Sequence, residues 1–341
     1  MVRGWSNVRY ICGKGKIMST ALTTRPRRRG AQAVVALVAR CRRVTRRDLQ
    51  LVLGVLWLLD GVLQAQPFMF TRGFAEQVVG HTGEGQPGVV SDPVHIAAMI
   101  IAAQPFWWNL FFATVQLLLG VGLLARRTAR VAVIASIGWA FGLWYLGEGL
   151  SGLASGHASL LTGAPGSAML YAVIAAAAWP SGRGDRAPAP WLVWGWAFLW
   201  VGSAVLQLLP GQNTGQGLSS LLSTSAGQAP HWLARLDLSA AIWANHHGTL
   251  AVYGLVAVEF LVGIGALTRK GRVWALVIGF LLIIAIWAVG QGFGLLFSGQ
   301  ATDPNSGPLV ALMAIALLAP ASRIRRRTTT CPPSLLRPTS R

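Results

Sequence analysis

The stretches VQLLLGVGLLARRTAR, residues 115–130, and VEFLVGIGALTRKGR, residues 258–272, decide the fold class of this chain. Each is an apolar run with a polar side chain near its start, two glycines separated by one residue, and a cluster of basic residues at its end. An apolar run of about 20 residues can cross the hydrocarbon core of a bilayer. Both stretches therefore predict transmembrane helices that end in basic loops.

The composition of the whole chain agrees with a membrane protein. Of the 341 residues, 53% are hydrophobic and only 11% are charged, whereas about 25% of residues are charged in a soluble protein. The formal net charge is +19, but the basic residues cluster in the tails and short loops, which argues against nucleic-acid binding. The three cysteines form no CxxC pair, which argues against a thiol–disulfide enzyme.

Eight apolar segments reach or approach the length of a membrane span, and they cover residues 49–66, 107–125, 131–154, 166–180, 190–209, 248–268, 273–297 and 307–322. Basic clusters follow the second, fourth, sixth and eighth segments, whereas the opposite loops contain only Arg72 and Arg235. Because basic residues concentrate in cytoplasmic loops, the pattern predicts an all-α polytopic protein with eight transmembrane helices and both termini in the cytoplasm. The richness in Arg, Ala and Gly favours a bacterial genome, and so the plasma (inner) membrane.

The chain also matches itself when it is shifted by 143 residues. The aligned pairs include Trp57 with Trp200, Pro67 with Pro210, Gly120 with Gly263, Arg126 with Arg269 and Trp144 with Trp287. Composition bias alone would not align Trp, Pro and Arg at one offset. An even number of spans per unit gives both units the same orientation, so we predict two parallel four-helix repeats.

The predicted organisation follows from the segments and the repeat. It consists of a basic cytoplasmic tail over residues 1–47, a first repeat over 48–180, a cytoplasmic linker over 181–190, a second repeat over 191–322 and a basic tail over 323–341. Met18 is a second candidate for the start of the chain. The outer loops 67–106 and 210–247 are expected to form short amphipathic helices on the outer membrane surface.

These motifs carry a resemblance to a known family. Residues 115–130 and 258–272 resemble the second-helix signature of DoxX-like membrane proteins, and LVLGVLWLLDGVLQ, residues 51–64, looks like the first helix of that family. The resemblance covers most of residues 48–322, but this chain differs in being a tandem of two units with long outer loops. It implies a quinone-linked or redox-associated membrane subunit, with a quinone as cofactor and a redox protein as partner. No catalytic residue is carried over.

Polar side chains inside the apolar segments are the main candidates for a functional site. The carboxylates are Asp60, Glu148 and Glu259, and their repeat counterparts are Ser203, Gln291 and Gln116. We predict that Asp60, Gln64 and Glu148 form one polar cluster under the first outer loop, with Ser203, Gln207 and Gln291 as a weaker copy. Such groups are either interhelical hydrogen-bond contacts or the wall of a proton, quinone or solute pathway.

Two further patterns in the sequence, one of glycines and one of histidines, give weaker predictions. Glycines spaced three and four residues apart predict close helix packing at Gly138, Gly142, Gly149, Gly152, Gly290 and Gly292. Histidines gather near the outer loops, and the weak metal-ligand candidates among them are His157, His231, His246 and His247. Because their spacing fits no familiar zinc motif, the sequence favours no metal site.

Three functions remain open from the sequence. A redox-associated membrane subunit is implied by the family resemblance. A transporter of a small solute, or a proton-coupled one, is consistent with eight helices, parallel repeats and buried acids, although the apolar segments lack the Gly or Pro interruptions typical of transporter sites. A non-catalytic membrane scaffold is the third. The sequence contains no nucleotide-binding or hydrolase motif.

Overall fold

The computed structural model describes residues 44–156, 158–180 and 189–318, and every regular element in these ranges is helical. The α-helices are α1 (Arg46–Leu63), α2 (Gly88–Ala103), α3 (Pro105–Leu124), α4 (Ala129–Gly142), α5 (Ser167–Ala177), α6 (Leu192–Leu206), α7 (Gly215–Gln228), α8 (His231–His247), α9 (Thr249–Leu267), α10 (Arg272–Ala288) and α11 (Ser306–Leu318). We call residues 44–180 the first half and residues 189–318 the second half. The predicted tails and most of the linker lie outside the described residues.

Short helical turns complete these ranges. The π-helical turns cover Phe74–Val79 and Leu143–Gly147, and the second of them continues α4. The 3-10 turns cover Pro67–Phe70, Gly80–Gly83, Gly149–Gly152, Leu160–Thr162 and Gly292–Leu295. The predicted first outer loop therefore consists of three short turns followed by α2, and the second consists of α7 and α8.

Three helical segments are long and apolar enough to cross a membrane, judged by length and composition. They are α3, α4 with its π turn (Ala129–Gly147) and α9. Helices α2, α5, α6, α10 and α11 are also apolar, but they have at most 17 residues. The all-helical class and the presence of membrane-length apolar helices agree with the prediction from sequence.

The start of α1 is fixed by its own polar residues and by contacts to α3. Thr45 and Asp48 form a reciprocal capping box, in which each side chain accepts a hydrogen bond from the other residue's backbone amide. The guanidinium of Arg47 donates to the carbonyl oxygens of Leu123, at 2.9 Å, and Leu124. Because the last carbonyls of a helix have no partner within that helix, Arg47 ties the end of α3 to the start of α1.

Glycines bring α1 and α3 into close contact. A Cβ atom added at Gly120 would lie 2.6 Å from Leu58 Cγ and 2.8 Å from the carbonyl oxygen of Gly54, and one added at Gly61 would lie 2.7 Å from Leu117 Cγ. Contacts this short leave no room for a side chain. The close packing of the first half therefore depends on glycines of α1 and α3.

Two of the predicted packing glycines, Gly138 and Gly142, do not have this role, and the prediction was wrong for them. A Cβ atom added at Gly138 or Gly142 would have no atom within 4 Å, because these glycines line a cavity. The other four, Gly149, Gly152, Gly290 and Gly292, lie beyond regular helix ends and have positive φ angles. Glycine is favoured at such positions because it has no Cβ atom to collide with the backbone.

Gly120 therefore offers a stability test with an internal control. We expect Gly120→Ala to lower the free energy of unfolding by about 1–3 kcal/mol, because the new methyl group overpacks the α1–α3 contact. Gly138→Ala, also within a helix but facing open space, should change it by less than about 1 kcal/mol. Thermal unfolding of the purified variants in detergent measures both effects. Equal stability of the two variants would contradict this packing.

The third and seventh apolar segments contain shorter helices than predicted. The predicted spans 131–154 and 273–297 end as regular helices at Gly147 and Ala288, respectively. Both are followed by tight turns in which non-glycine residues adopt positive φ angles, namely Leu150, Ser151, Phe293 and Leu295. Hydropathy continues through these turns, which is why the sequence suggested longer helices. The expectation that these segments lack interruptions was wrong.

The two shortest apolar helices lie at the centre of the structure. Eight of the eleven residues of α5 and ten of the thirteen residues of α11 are buried, and these two helices contact each other. The irregular segment before α5 is buried as well, with Ser159 and Leu160 fully inaccessible. The two halves therefore meet through their last helices and the segments that precede them.

Candidate functional site

The first half encloses a cavity of about 400 Å³ with largely apolar walls. Side chains of α1, α2, α3, α4 and α5 line it, together with the π turn Phe74–Val79. The aromatic residues in the wall are Trp57, Phe74, Trp108, Phe111, Phe112, Trp139 and Tyr171. Cavities of about 300–1,000 Å³ with apolar walls and a few polar groups are typical of small-molecule sites.

Polar side chains with unpaired atoms line this cavity. Asp60 and Gln64 lie one turn apart on α1, Gln116 lies on α3, Trp139 on α4 and Tyr171 on α5. The unpaired atoms are Asp60 Oδ1, Gln64 Oε1, Gln116 Oε1, Trp139 Nε1 and the Tyr171 hydroxyl. Each unpaired buried polar group costs about 1–3 kcal/mol, so a cavity with five of them is suited to a ligand that supplies partners.

Tyr171 lies at the centre of the polar wall. Its ring packs against Trp57 with a centroid distance of 4.4 Å, and the Trp57 indole donates a hydrogen bond to Ser136 Oγ at 2.7 Å. The hydroxyl lies beside the carboxyl group of Asp60 but forms no hydrogen bond of normal geometry. Packing therefore holds the ring in place, while its hydroxyl stays available to a ligand.

Glu148 lies at the edge of the cavity and anchors the start of α5. Its carboxylate accepts hydrogen bonds from Ser167 Oγ at 2.7 Å, from the Ala168 backbone amide at 2.9 Å and from Ser151 Oγ at 3.0 Å. The first amides of a helix lack partners within the helix and favour a negative charge. Glu148 lines the same cavity as Asp60 and Gln64, and three hydrogen bonds hold its carboxylate.

Gln291, the counterpart of Glu148, makes equivalent contacts at the start of α11. Its Nε2 donates to Ser306 Oγ at 2.8 Å and to the Leu160 carbonyl at 2.8 Å, while its Oε1 accepts from the Gly307 amide at 3.2 Å. A neutral amide therefore anchors the last helix of the second half, where a carboxylate anchors that of the first half.

The other polar residues of the second half form a separate pair. Gln207 Nε2 donates to Glu259 Oε1 at 2.9 Å, and Ser203 lies beside the same carboxyl group. Glu259 is fully buried. The structure thus brings Ser203 and Gln207 together with Glu259, whereas Gln291 makes its hydrogen bonds to α11 and to Leu160.

The second half contributes one wall of the first-half cavity. Thr302 and Asp303, in the segment before α11, line it. The Asp303 carboxylate accepts from Thr302 Oγ1 at 2.9 Å and from the Asn305 amide at 2.7 Å, and Gln66 of the first half donates to the Ala301 carbonyl at 3.2 Å. The cavity is therefore completed by a segment that lies far away in sequence.

The cavity opens onto the apolar surface of the first half. Ile100, Trp108, Phe111 and Leu146 all line the cavity, yet 36–48% of their surface remains exposed. Side chains that face the cavity and the outer surface at once mark the rim of an opening. A ligand would pass through an apolar rim formed by α2, α3 and α4.

The histidine candidates do not come together. His231 begins α8, and His246 and His247 end it, so about 24 Å of helix separates them. His247 stacks on Trp243 at a centroid distance of 4.4 Å. Among the described residues, no group of three or more His, Cys, Asp or Glu side chains is placed to hold a metal ion. His157 lies outside the described residues.

Sequence reasoning missed several polar residues. Tyr171 and Trp139 read as ordinary aromatic residues of apolar segments, and Asp303 lies outside those segments. Asp237, on the inner face of α8, is fully buried, and neither of its oxygens accepts a hydrogen bond of normal geometry. Burial raises the pKa of Asp237 above its ordinary value, and the nearby Gly290 amide offsets part of that rise.

Comparison with known proteins gives no further guide to this site. No family model, no curated protein and no solved structure matches the chain. The functional argument therefore depends on the geometry of the cavity and on the sequence patterns.

Proposed function

We propose that the chain is an eight-span protein of the plasma (inner) membrane, built from two parallel four-helix repeats of the DoxX-like type with both termini in the cytoplasm. Several contacts recur between positions 143 residues apart. Gly120 packs on Gly54 and Leu58 as Gly263 packs on Ala197 and Val201, and Gly122 meets Ala132 as Gly265 meets Ala275. The indoles of Trp144 and Trp287, which keep this offset, both donate to a proline carbonyl at 2.7 Å, although the two prolines, Pro165 and Pro304, do not keep it. These recurring contacts support a repeat.

The short helices fit this proposal because they lie inside the protein. Helix α5 has 11 residues and is about 16 Å long, well short of a hydrocarbon core of about 30 Å. Non-helical backbone is tolerated at membrane depth where protein surrounds it. The buried segments before α5 and α11 can therefore complete the fourth and eighth spans.

The proposed topology makes a direct labelling prediction. Single cysteines are placed at Glu84, which is exposed in the first outer loop, and at Ser181 in the linker, after Cys12, Cys41 and Cys331 have been replaced. An impermeant maleimide should label position 84 in intact cells and position 181 only after lysis, because the linker follows the positive-inside pattern. Labelling of both positions in intact cells would contradict the eight-span topology.

We further propose that the first half binds a lipid-soluble small molecule that enters from the bilayer. The observation that carries this proposal is the cavity with five unpaired polar atoms behind an apolar opening. A quinone is a molecule of this kind, and Tyr171 and Trp139 offer hydrogen-bond donors for its carbonyl oxygens. This arrangement supports a quinone-linked membrane subunit, which would pass electrons to or from a redox partner protein.

A specific observation favours a second candidate, the transport of a small solute. The helix that lines the cavity, α4 with its π turn, ends at Gly147, next to Glu148 and short of the predicted end of the third span. Interrupted helices beside a polar cavity are common in transporters. A membrane scaffold, the third function that the sequence leaves open, would need neither the cavity nor its unpaired polar atoms.

Filling the cavity tests the binding function. Gly142 lines the cavity, and an added Cβ atom there meets nothing within 4 Å, so Gly142→Phe should fold and occupy the ligand's space. Decylubiquinone should quench tryptophan fluorescence of the wild type saturably, because three tryptophans line the cavity. We expect Gly142→Phe to weaken this binding at least about tenfold, or about 1.4 kcal/mol.

Gly254→Phe is the matched control for this experiment. Gly254 lies on α9 in the second half, is exposed, and also has no atom within 4 Å of an added Cβ. The Gly254→Phe variant should bind decylubiquinone with the same affinity as the wild type. Equal affinities of the wild type and Gly142→Phe would place any bound quinone outside the cavity.

A further inference from the structure

The carboxyl groups of the first-half cavity have no basic counterpart. Asp60, Glu148 and Asp303 all line it, and no Lys, Arg or His is among the described residues of its wall. Carboxylates in a water-poor environment are costly unless a positive charge or strong hydrogen bonds compensate them. Glu148 and Asp303 receive hydrogen bonds from neighbouring residues, but Asp60 Oδ1 receives none.

A second, independent observation concerns the uncharged polar groups. Gln64 and Gln116 are 3% and 4% exposed, respectively, and the Oε1 atom of each is unpaired. With Asp60 Oδ1, the wall therefore presents three unpaired acceptors. The Trp139 indole and the Tyr171 hydroxyl are unpaired donors of the same wall. A ligand that donates hydrogen bonds would satisfy the three acceptors.

The aromatic wall adds a third preference. The rings of Trp57, Trp108 and Tyr171 line the same cavity as Asp60. A cation near the face of such a ring is attracted by the negative charge of the π system. The apolar opening selects molecules that also dissolve in the bilayer. One ligand class satisfies the acceptors, the carboxylates and the rings together.

We propose that the first-half cavity binds an amphipathic organic cation, a protonated amine joined to an apolar or aromatic group. The ammonium would lie between Asp60, Gln64 and Gln116, with its apolar body against the aromatic wall. A neutral quinone would offer the Asp60 carboxyl group no positive charge. This inference rests on the proposed binding function and names the class of ligand.

The test compares two compounds that differ mainly in charge, 2-naphthylmethylamine, which is protonated at neutral pH, and 2-naphthylmethanol. Calorimetric titration of the full-length protein in detergent should give at least about tenfold tighter binding of the amine, since an opposite charge in a partly dry site strengthens binding. Asp60→Asn should remove most of this preference. Glu259→Gln, which removes a buried carboxyl group that does not line the cavity, should preserve it.

Each outcome decides the inference. Tighter binding of the amine that depends on Asp60 supports it, whereas equal affinity for the two compounds in the wild type overturns it without any variant. An amine preference that survives in a folded Asp60→Asn protein also overturns it. Binding of decylubiquinone that is lost in Gly142→Phe, with no amine preference, leaves the proposed binding function intact. If none of the three compounds binds, the proposed function itself fails.

Discussion

Glu148→Leu is expected to lower the free energy of unfolding by about 3–5 kcal/mol, because it removes a carboxylate that accepts three hydrogen bonds. The Ala168 amide and two hydroxyl groups would be left without their partner at the start of α5. Thermal or denaturant unfolding in detergent, followed by circular dichroism, measures the loss. A loss below about 1 kcal/mol would contradict the anchoring role of this residue.

Glu148→Gln is the control, and the contacts of Gln291 in the second half indicate the expected result. Gln291 holds the start of α11 through the Gly307 amide and Ser306 Oγ, so an amide can make this anchor. We expect Glu148→Gln to change the free energy of unfolding by less than about 1 kcal/mol. A normally folded Glu148→Gln protein that has lost activity would give the carboxylate a second role, in proton transfer.

Gly166→Ala should have the next largest effect, a loss of about 2–4 kcal/mol. Gly166 precedes α5 with φ 107° and ψ 143°, a conformation that is almost confined to glycine. An added Cβ atom would also collide with Glu148 Oε2 and Ser151 Oγ. These atoms end flexible side chains, but hydrogen bonds hold them, so moving them would weaken the α5 anchor.

Gly156→Ala separates the two contributions. Gly156 has φ 77°, and an added Cβ atom there would have no atom within 4 Å, so this variant keeps the backbone strain and lacks the collision. We expect a loss of about 1–2 kcal/mol for Gly156→Ala. Melting temperatures of the two variants, measured side by side, test the difference. If Gly166→Ala destabilised the protein less than Gly156→Ala, the collision with Glu148 would not contribute to the loss of stability.

Local patterns in the sequence were sufficient to predict the helical class and the positions of some of the apolar helices. Hydropathy and basic clusters depend on residues close in sequence, and they located α3 and α9 within about two residues. Hydropathy could not predict that the third segment stops being helical at Gly147, because apolar residues continue through the turn. Beyond Gly147 the backbone makes contacts to residues distant in sequence, and Gln86 Nε2 donates to the Gly149 carbonyl at 2.8 Å.

The candidate site was predictable only in part, for a related reason. Asp60 and Gln64 stand out because polar residues are rare in apolar segments, and their spacing of four puts them on one helix face. Tyr171 and Trp139 carry their polar atoms on apolar bodies, so composition does not distinguish them from packing residues. Asp303 reaches the cavity only through the contact between the halves, which pairs residues more than 200 positions apart.

The segment that carries Thr302 and Asp303 makes the first half dependent on the second. If the chain were divided at the linker, the first fragment would hold most of the cavity but would lose the wall formed by these two residues. Two separate fragments would have to find each other before the cavity could close. The covalent linker instead keeps the second half at a high effective concentration, so each copy of the chain carries its own complete site and needs no second copy to close it.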